Sequence, residues 1–263
     1  DTWSTIGEQR TTNYALLAES KDTFFDLVTE GQPPAPSYFV YDAILNRKDR
    51  ELLDESVLPA ALTLAEFDRL VEGGAMVIDG RDPDEFGHGH LAGSINVGLN
   101  GRYAEFAGSV IPHDVDIVLV VDEGFELEAK NRLARIGFDR VVGFLQHPYI
   151  VMLDHPDRVR HASRMTAVEF DARRDEIDGQ QLVDIRNPGE VALGVIGGAT
   201  TIPVGQLPGR LAELDPAAPT VVYCAGGYRS SVAASVLREA GYSDVSDILG
   251  GYGAWQEIQP SLV

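Results

Sequence analysis

The chain has 263 residues, of which 44% are hydrophobic and 24% are charged, and it carries a formal net charge of −20. This composition excludes wholesale disorder and a coiled-coil rod, and no apolar run approaches the roughly 20 residues of a membrane-spanning helix. Such an acidic surface repels nucleic acids and anionic membranes, so we expect neither as a partner. The single cysteine cannot form an internal disulfide, so we expect a cytoplasmic protein.

The N-terminal segment, residues 1–58, matches nothing else in the chain and contains no apolar core of the kind that a signal peptide needs. Its first residue is Asp1 rather than methionine, which suits a trimmed piece of a longer protein. A helix is predicted over Thr23–Thr29, whereas the prolines within Gln32–Pro36 predict an extended or turning backbone.

Two similar halves follow this segment. The run Asp-Gly-Arg-Asp-Pro-Asp-Glu at 79–85 returns as Asp-Ile-Arg-Asn-Pro-Gly-Glu at 184–190, each position 105 residues further on. Three other segments match at offsets between 103 and 105 residues. Since chance would not keep this register, we predict two homologous domains at 59–150 and 164–263, joined by a solvated linker at 151–163.

Each repeat reads as the same series of elements. A Thr-x-x-Glu capping box begins a helix, and a strand, an Asp-Pro or Asn-Pro turn and a Gly-rich loop follow. After a second short strand comes a fully apolar strand, a helix ending at Gly137 or Gly241, and a last strand. The alternation predicts an α/β fold with one parallel, helix-flanked sheet per repeat. The predicted strands are 76–79, 95–97, 117–121, 141–145, 181–185, 199–202, 220–223 and 245–249.

The one cysteine lies where a strand is predicted to turn into a helix. The strand Thr220–Tyr223 leads into Cys-Ala-Gly-Gly-Tyr-Arg-Ser at 224–230, and a helix is predicted over 231–240. Glycines let this loop curl so that successive amide N–H groups point into one cup. The helix dipole and Arg229 add positive charge, so a thiolate is favoured over a thiol and an anionic ligand is favoured on the sulfur.

A lone free cysteine is more often a buried, inert residue than a reactive one, and this alternative stands beside the reactive interpretation. The coincidence of a strand end, a Gly-Gly loop, an arginine and a helix start at Cys224 favours reactivity.

Several motifs of the second repeat occur together: Asp184-Ile-Arg186, Gly194–Ala199 leading to Ile202-Pro203, the cysteine loop, and Gly250–Trp255. Together they resemble the rhodanese family of sulfurtransferases. In that family the cysteine accepts a sulfane sulfur, holds it as a persulfide and passes it to a nucleophile. The resemblance implies Cys224 as the sulfur carrier and Arg229 as the residue that orients an anionic donor. The residues that it implies for substrate binding are Ala225, Gly226, Gly227, Tyr228, Ser230, Asp184 and Arg186.

Two alternatives concern these residues. Asp184 and Arg186 equally fit a buried ion pair that fixes a turn. Related phosphatases resemble this pattern but use a loop one residue longer, which makes room for a phosphate. The six residues from Cys224 to Arg229 therefore favour sulfur transfer over hydrolysis of a phosphate or arsenate ester.

The first repeat departs from this pattern. Asp122 follows its apolar strand where the second repeat has its cysteine, and the loop contains no arginine. The carboxylates of Asp122, Glu123 and Glu126 would repel an anion. We predict that the first repeat is catalytically silent, and that it packs against the second repeat or forms one wall of its site.

The N-terminal segment carries a resemblance of its own. Ser4–Leu16, Gly31–Phe39 and Asn46 are similar to the C-terminal tail of a metallo-β-lactamase-fold domain, a family in which some members are persulfide dioxygenases fused to rhodanese repeats. The resemblance implies docking to such a domain, or a homodimer. That family's metal motif is absent and the pair His88-Gly-His90 lacks a third ligand, so we expect no metal and no cofactor.

Two functions stay open from the sequence. The first is a sulfurtransferase that moves a sulfane sulfur from thiosulfate or a thiol persulfide, through a Cys224 persulfide, to a thiol, sulfite or cyanide. The second is a persulfide-binding or relay module without turnover of its own, docked on a partner domain. The acidic surface slows anionic donors at low salt, which favours a thiol-bound or protein-delivered sulfur.

Overall fold

The computed structural model describes residues 3–30, 35–36, 38–49, 53–177 and 179–259. Residues 31–34, which belong to the predicted extended stretch and to the metallo-β-lactamase-like tail, lie outside the described residues. Within the described part of the chain, no helix has both the length and the apolar character that crossing a membrane requires.

The described residues of the N-terminal segment form three short helices, α1 (Ile6–Thr12), α2 (Lys21–Thr29) and α3 (Tyr38–Leu45). The predicted helix is confirmed as α2 and begins two residues earlier, because Ser20 caps it by accepting the Thr23 amide. α3 buries Tyr38 in the core of the first repeat. By contrast, α1 and α2 contain no buried residue.

The first repeat is a five-stranded, fully parallel sheet flanked by helices. Its elements are β1 (Ala61–Leu62), α4 (Leu64–Glu72), β2 (Met76–Asp79), α5 (Pro83–His88), β3 (His90–Leu91), β4 (Ser94–Asn96), α6 (Tyr103–Val110), β5 (Ile117–Val120), α7 (Glu126–Ala134), β6 (Val141–Leu145) and α8 (Pro148–Asp154). The strand order is β1-β6-β5-β2-β4. The short β3 lies outside this sheet.

The second repeat reproduces this sheet. After β7 (Val159–Arg160) its elements are β8 (Ser163–Met165), α9 (Ala167–Arg173), β9 (Gln181–Asp184), α10 (Pro188–Val191), β10 (Thr200–Thr201), α11 (Leu207–Arg210), β11 (Thr220–Tyr223), α12 (Tyr228–Glu239), β12 (Val245–Ile248) and α13 (Gly251–Ile258). The parallel order β8-β12-β11-β9-β10 matches the first sheet strand for strand. The predicted α/β class, with two parallel sheets flanked by helices, is confirmed.

The predicted helix signals are confirmed in part. Both capping boxes form, with Thr63 and Thr166 each exchanging hydrogen bonds with the glutamate three residues later. Gly241 follows Ala240, the C-cap residue of its helix, and adopts a left-handed φ of 91°. α7 ends earlier than predicted, at Ala134, so the left-handed Gly137 belongs to the turn after the helix.

The stretch 151–163, predicted as a solvated linker, contains regular structure. α8 runs on to Asp154, and β7 pairs antiparallel with β3, placing Val159 opposite Leu91. This pairing covers Leu91, which is only 2% exposed. The segment after the first sheet therefore folds back onto the first repeat before it enters the second.

The two repeats share one continuous apolar core. A single cluster of buried side chains joins Ile95 and Phe106 of the first repeat to Val183, Val222 and Val232 of the second. Because core side chains pack at near-crystalline density, a shared cluster fixes the relative position of the two repeats.

His90 makes the stability of the first repeat depend on pH. The ring is 4% exposed, stacks on Phe86 at a centroid distance of 3.7 Å, and contacts the Phe86 carbonyl through Nδ1. Burial, opposed by the bond to Phe86, lowers the pKa of His90 to about 4. Folded His90 therefore stays neutral while an unfolded histidine takes up a proton below about pH 6.5.

We expect this histidine to remove about 2 kcal/mol of unfolding free energy between about pH 7 and pH 5, because the unfolded chain binds the extra proton. Urea titrations of the wild type and of His90→Gln at both pH values measure the difference. The variant should lose less stability on acidification than the wild type; equal losses would contradict the assignment.

Candidate active site

The cysteine follows directly after the central strand of the second sheet. In the register of β9 and β11, Tyr223 lies opposite Asp184, so Cys224 leaves the sheet at its carboxyl edge. Ligands of open parallel α/β sheets bind at this edge. The Cys224 side chain is 1% exposed and lines the floor of a cleft.

The thiol is held by the backbone turn that follows it. The Gly227 amide donates a hydrogen bond to Cys224 Sγ at 3.0 Å, and the thiol lies 3.7 Å from Ser230 Oγ. Gly227 adopts a left-handed φ of 100°, which favours glycine, and this turn lets α12 begin at Tyr228. The helix therefore begins three residues earlier than predicted, and its positive end lies closer to the sulfur.

Ser230 links the thiol to a buried carboxylate. Its Oγ lies 2.9 Å from the Gly227 carbonyl and 3.2 Å from Asp247 Oδ2. Asp247 lies in the buried strand β12 and receives two hydrogen bonds from Arg164. Burial raises the pKa of Asp247 although Arg164 opposes this. Ser230 is thus fixed from two sides, which holds its hydroxyl near Sγ.

Arg229 makes a two-point ion pair with Glu190. Its Nη1 and Nη2 donate to the two carboxylate oxygens of Glu190 at 2.6 and 2.5 Å. Hydrogen bonds from Arg229 hold the pKa of the Glu190 carboxyl below its usual range, and the same contacts, aided by the nearby Cys224, raise the pKa of Arg229. In this resting arrangement the guanidinium already holds an anion, the carboxylate of Glu190.

The start of α13 closes over the other side of the loop. The amides of Tyr252 and Gly253 donate to the carbonyls of Cys224 and Ala225, at 2.7 and 3.1 Å. Gly251 makes this close approach possible, since a Cβ there would lie 2.3 Å from the Cys224 carbonyl oxygen. These contacts explain why the first residue of α13 is a glycine.

Asp184 and Arg186 form a buried ion pair beneath the loop. Arg186 donates to both oxygens of Asp184 and to the Gly194 carbonyl, and its guanidinium stacks on Tyr252 at 3.9 Å from the ring centroid. The described contacts of this pair do not include Cys224. Its influence on the loop passes through Tyr252, whose amide holds the Cys224 carbonyl.

The first repeat contains the same pair without a cysteine nearby. Arg81 donates to both oxygens of Asp79 and to the Gly89 carbonyl, matching the second repeat bond for bond. Because the pair recurs where Asp122 replaces the cysteine, its geometry favours the alternative in which it fixes the turn after the strand.

In the first repeat, hydrogen-bonded side chains occupy the position that corresponds to the cysteine loop of the second repeat. Tyr149 donates to Asp122 Oδ1 at 2.7 Å and lies 3.1 Å from Glu85 Oε2, while the Arg81 guanidinium lies 5.2 Å from the Tyr149 ring centroid. Burial and the Asp122 carboxylate raise the pKa of Tyr149, so its phenol stays a hydrogen-bond donor. This arrangement leaves two carboxylates and a neutral phenol where the second repeat has its thiol.

The cleft above Cys224 is built by both repeats and the N-terminal segment, and its volume is about 1190 Å³. The second repeat contributes Cys224, Gly226 and Arg229, whereas the first repeat contributes residues of α6 and of the loop before it. The residues of the first repeat at the cleft are Asn100, Gly101, Arg102, Glu105, Phe106 and Ser109. The cleft beside Cys224 therefore lies between the two repeats.

The structure brings together four of the predicted residues, Cys224, Gly227, Arg229 and Ser230. Ala225 and Gly226 are exposed beside them, and Tyr228 lines the same cleft while its hydroxyl reaches the Gly98 carbonyl of the first repeat. The roles of these residues stay predictions.

Sequence reasoning missed Glu190 and Asp247. Glu190 has a signal, since it is the repeat-matched copy of Glu85, and Asp247 is an acidic residue inside an otherwise buried strand. Among the described residues, no group of three or more His, Cys, Asp or Glu side chains is arranged to hold a metal ion.

Parts of the chain are similar to known proteins. The chain is similar to a sulfurtransferase from Allochromatium vinosum, with 40% identity over 28% of this chain and 69% of that protein. It is also similar to the thiosulfate sulfurtransferase GlpE of Pseudomonas paraeruginosa, with 38% identity over 34% of this chain and 82% of that protein. The crystal structure of a thiosulfate sulfurtransferase from Pseudomonas aeruginosa covers 75% of this chain and 42% of that chain, with 23% identity and a TM-score of 0.34.

The family model of the rhodanese-like domain matches residues 63–147 and again 166–258, which together make up more than half of the chain. The relatives named sulfurtransferases support sulfur transfer as the general chemistry. The chain belongs to the rhodanese-like family and contains two copies of its domain.

Proposed function

We propose that this protein is a sulfurtransferase whose second repeat carries sulfur on Cys224, with thiosulfate or a thiol persulfide as the donor. The observation that carries the proposal is the environment of Sγ. The Gly227 amide donates a hydrogen bond to Sγ, α12 begins beside it and Arg229 lies close to it. Cys224 also lines a cleft to which both repeats contribute residues.

The proposed reaction has two displacements. The Cys224 thiolate attacks the outer sulfur of thiosulfate, a bond forms between the two sulfurs, and sulfite leaves with the electron pair of the broken S–S bond. A thiol persulfide donor would release a thiolate in the same way. The acceptor, a thiol, sulfite or cyanide, then attacks the terminal sulfur, and the Cys224 thiolate leaves.

The residues around Sγ suit both displacements. The Gly227 amide stabilises negative charge on the sulfur, and the positive end of α12 points at the same atom. Arg229 is placed to hold an anionic donor or the leaving sulfite, once it exchanges Glu190 for that anion. The corresponding loop of the first repeat, residues 122–126, contains neither a cysteine nor an arginine, which supports the prediction that this repeat is silent.

Steady-state kinetics with thiosulfate and cyanide test the proposal. Two displacements through one enzyme-bound sulfur predict parallel double-reciprocal plots and the release of one sulfite per protein before any acceptor is added. Intersecting plots without this early sulfite would contradict a persulfide intermediate.

Freeing Arg229 is expected to improve the use of thiosulfate. Glu190→Gln removes the competing carboxylate but keeps an amide that serves the capping box at Asn187. We expect the KM for thiosulfate to fall about threefold to tenfold, whereas Arg229→Ala raises it at least about tenfold, in line with loss of a charge-assisted contact. A higher KM in Glu190→Gln would show instead that Glu190 holds Arg229 in its working position.

A second candidate is a relay module that docks on a metallo-β-lactamase-fold persulfide dioxygenase. The observation that favours docking is the N-terminal segment, whose helices α1 and α2 bury nothing while Trp3, Ile6 and Phe25 are 79%, 77% and 61% exposed. This candidate predicts that Cys224 loads with sulfur but shows negligible turnover with thiol, sulfite or cyanide. Multiple turnovers with any of them exclude it.

A further inference from the structure

The first repeat holds the side chain of a residue that belongs to the cysteine loop. Tyr228 is the first residue of α12, and its hydroxyl donates to the Gly98 carbonyl of the first repeat at 2.6 Å. Its ring lies 5.6 Å from the ring of Phe106, centroid to centroid. Burial raises the pKa of Tyr228, so the hydroxyl stays protonated and able to donate.

The slot for this ring depends on a glycine. A Cβ at Gly101 would lie 2.3 Å from Cε2 and 2.4 Å from Cζ of Tyr228, so any larger residue would push the ring out of the slot. A Cβ added at Gly98 would lie 3.4 Å from Cε2 of the same ring, which is an ordinary contact distance. The first repeat therefore presents a ring-shaped slot to a residue next to the catalytic turn.

The same helix is tied to the first repeat one turn later. The Ser231 hydroxyl donates to Asn96 Oδ1 at 2.7 Å, and the backbone amide of Asn96 donates to Ser235 Oγ at 3.0 Å. Asn96 is itself held by two bonds to the carbonyls of Asp79 and Arg81. All three polar residues are buried, so loss of these bonds would leave unsatisfied groups.

Tyr228 lies between the two groups that define the sulfur site. Gly227, whose amide donates to Sγ, precedes it, and Arg229, which pairs with Glu190, follows it. A displacement of the Tyr228 ring is therefore transmitted through the backbone to both groups. Misplacement by about 1 Å is enough to cost a large factor in rate.

We propose that the first repeat, although it lacks a cysteine, is a working part of the sulfur site because it clamps Tyr228 and thereby sets the position of the Gly227 amide and of Arg229. Tyr228 is then a positioning residue, and the slot of Gly98, Gly101 and Phe106 is the surface that positions it. This inference rests on the proposed sulfur transfer at Cys224.

The test compares Tyr228→Ala, Tyr228→Phe and Gly101→Ala in the full chain, with Gly197→Ala as the control, since a Cβ at Gly197 meets open space. Per folded molecule, we expect Tyr228→Ala and Gly101→Ala each to lower kcat/KM for thiosulfate by about tenfold or more. Tyr228→Phe, which keeps the ring, should restore most of the activity, and the control should match the wild type.

A double variant separates positioning from direct contact with the donor. Once the ring is gone, a Cβ at position 101 has nothing to displace, so Tyr228→Ala with Gly101→Ala should equal Tyr228→Ala alone. Additive losses would overturn the proposal, as would wild-type kcat/KM in Gly101→Ala. A purely structural role would lower the melting temperature and leave kcat and KM per folded molecule unchanged, which also overturns it.

Hydrogen exchange keeps this test independent of sulfur transfer. We expect amide exchange in a peptide covering 224–231 to be faster in Tyr228→Ala and Gly101→Ala than in the wild type, and unchanged in Gly197→Ala. If the wild type transfers no sulfur, the proposed function fails while the exchange data still decide the clamp. Exchange equal to the wild type in both variants would overturn the clamp even if sulfur transfer occurs.

Discussion

Replacing Cys224 by alanine is expected to lower sulfur transfer by about 10³-fold or more, the scale of loss when an attacking nucleophile is removed. The chain has no other cysteine, so no second thiol can take over the sulfur. Cys224→Ser keeps nearly the same volume in this 1% exposed site and should be equally inactive. The steady-state rate with thiosulfate and cyanide measures both variants.

The matched control for this prediction is Asp122→Ala. Asp122 occupies the position in the first repeat that corresponds to Cys224, and it accepts a hydrogen bond from the Tyr149 hydroxyl. We expect its replacement to leave the rate within about twofold of the wild type, because the first repeat holds no sulfur carrier. Activity in Cys224→Ala close to that of Asp122→Ala would show that the sulfur travels by another route.

The second large effect is expected in stability. Asp184→Ala leaves the guanidinium of Arg186, a residue 2% exposed, without its carboxylate, and Asp79→Ala does the same to Arg81. Breaking a buried ion pair by removing one partner costs about 3–5 kcal/mol. Urea unfolding followed by circular dichroism measures the loss in each variant.

These two variants also decide between the two interpretations of the pair. If it fixes a turn, both variants lose similar stability, and folded Asp184→Ala keeps its rate of sulfur transfer within about threefold, since its contact with the loop is indirect. A loss of sulfur transfer in folded Asp184→Ala that far exceeds the loss in Asp79→Ala would return Asp184 to the chemistry of the site.

Much of the fold could be predicted because its signals are local. The apolar runs that became β5 and β11 suit strands covered on both faces, and the two Thr-x-x-Glu boxes mark helix starts by short-range hydrogen bonds. The repeat offset then predicts two sheets of the same order. The strand and helix-start inferences need only residues close in sequence, and the repeat needs only a comparison of short matching runs.

Glycine geometry explains why α12 begins earlier than predicted. The left-handed turn at Gly227 lets α12 begin at Tyr228, whereas the sequence favoured a longer loop.

The stretch 151–163 has the polar composition of a linker, yet its strand β7 pairs with β3, which lies far back in the chain. Such pairing depends on the folded position of the first repeat, which local composition does not encode.

The site could be located but not completed from the sequence. Cys224, Gly227 and Arg229 lie together because six consecutive residues contain them. Glu190 and Tyr228 acquire their contacts across distances of 39 and 130 residues, through the packing of strand ends and of the two repeats. The sequence therefore predicts a sulfur site and allows the first repeat to form one wall of it, but it does not identify the residues of the first repeat that line the cleft.

Intact-mass spectrometry of the protein after incubation with thiosulfate and, separately, with a low-molecular-weight persulfide tests directly whether Cys224 carries sulfur. We expect a gain of about 32 Da, one sulfur, in the wild type and in Asp122→Ala but not in Cys224→Ala. The added sulfur should disappear when cyanide or a thiol is supplied. No gain with either donor, or a gain that persists in Cys224→Ala, would contradict sulfur transfer through Cys224.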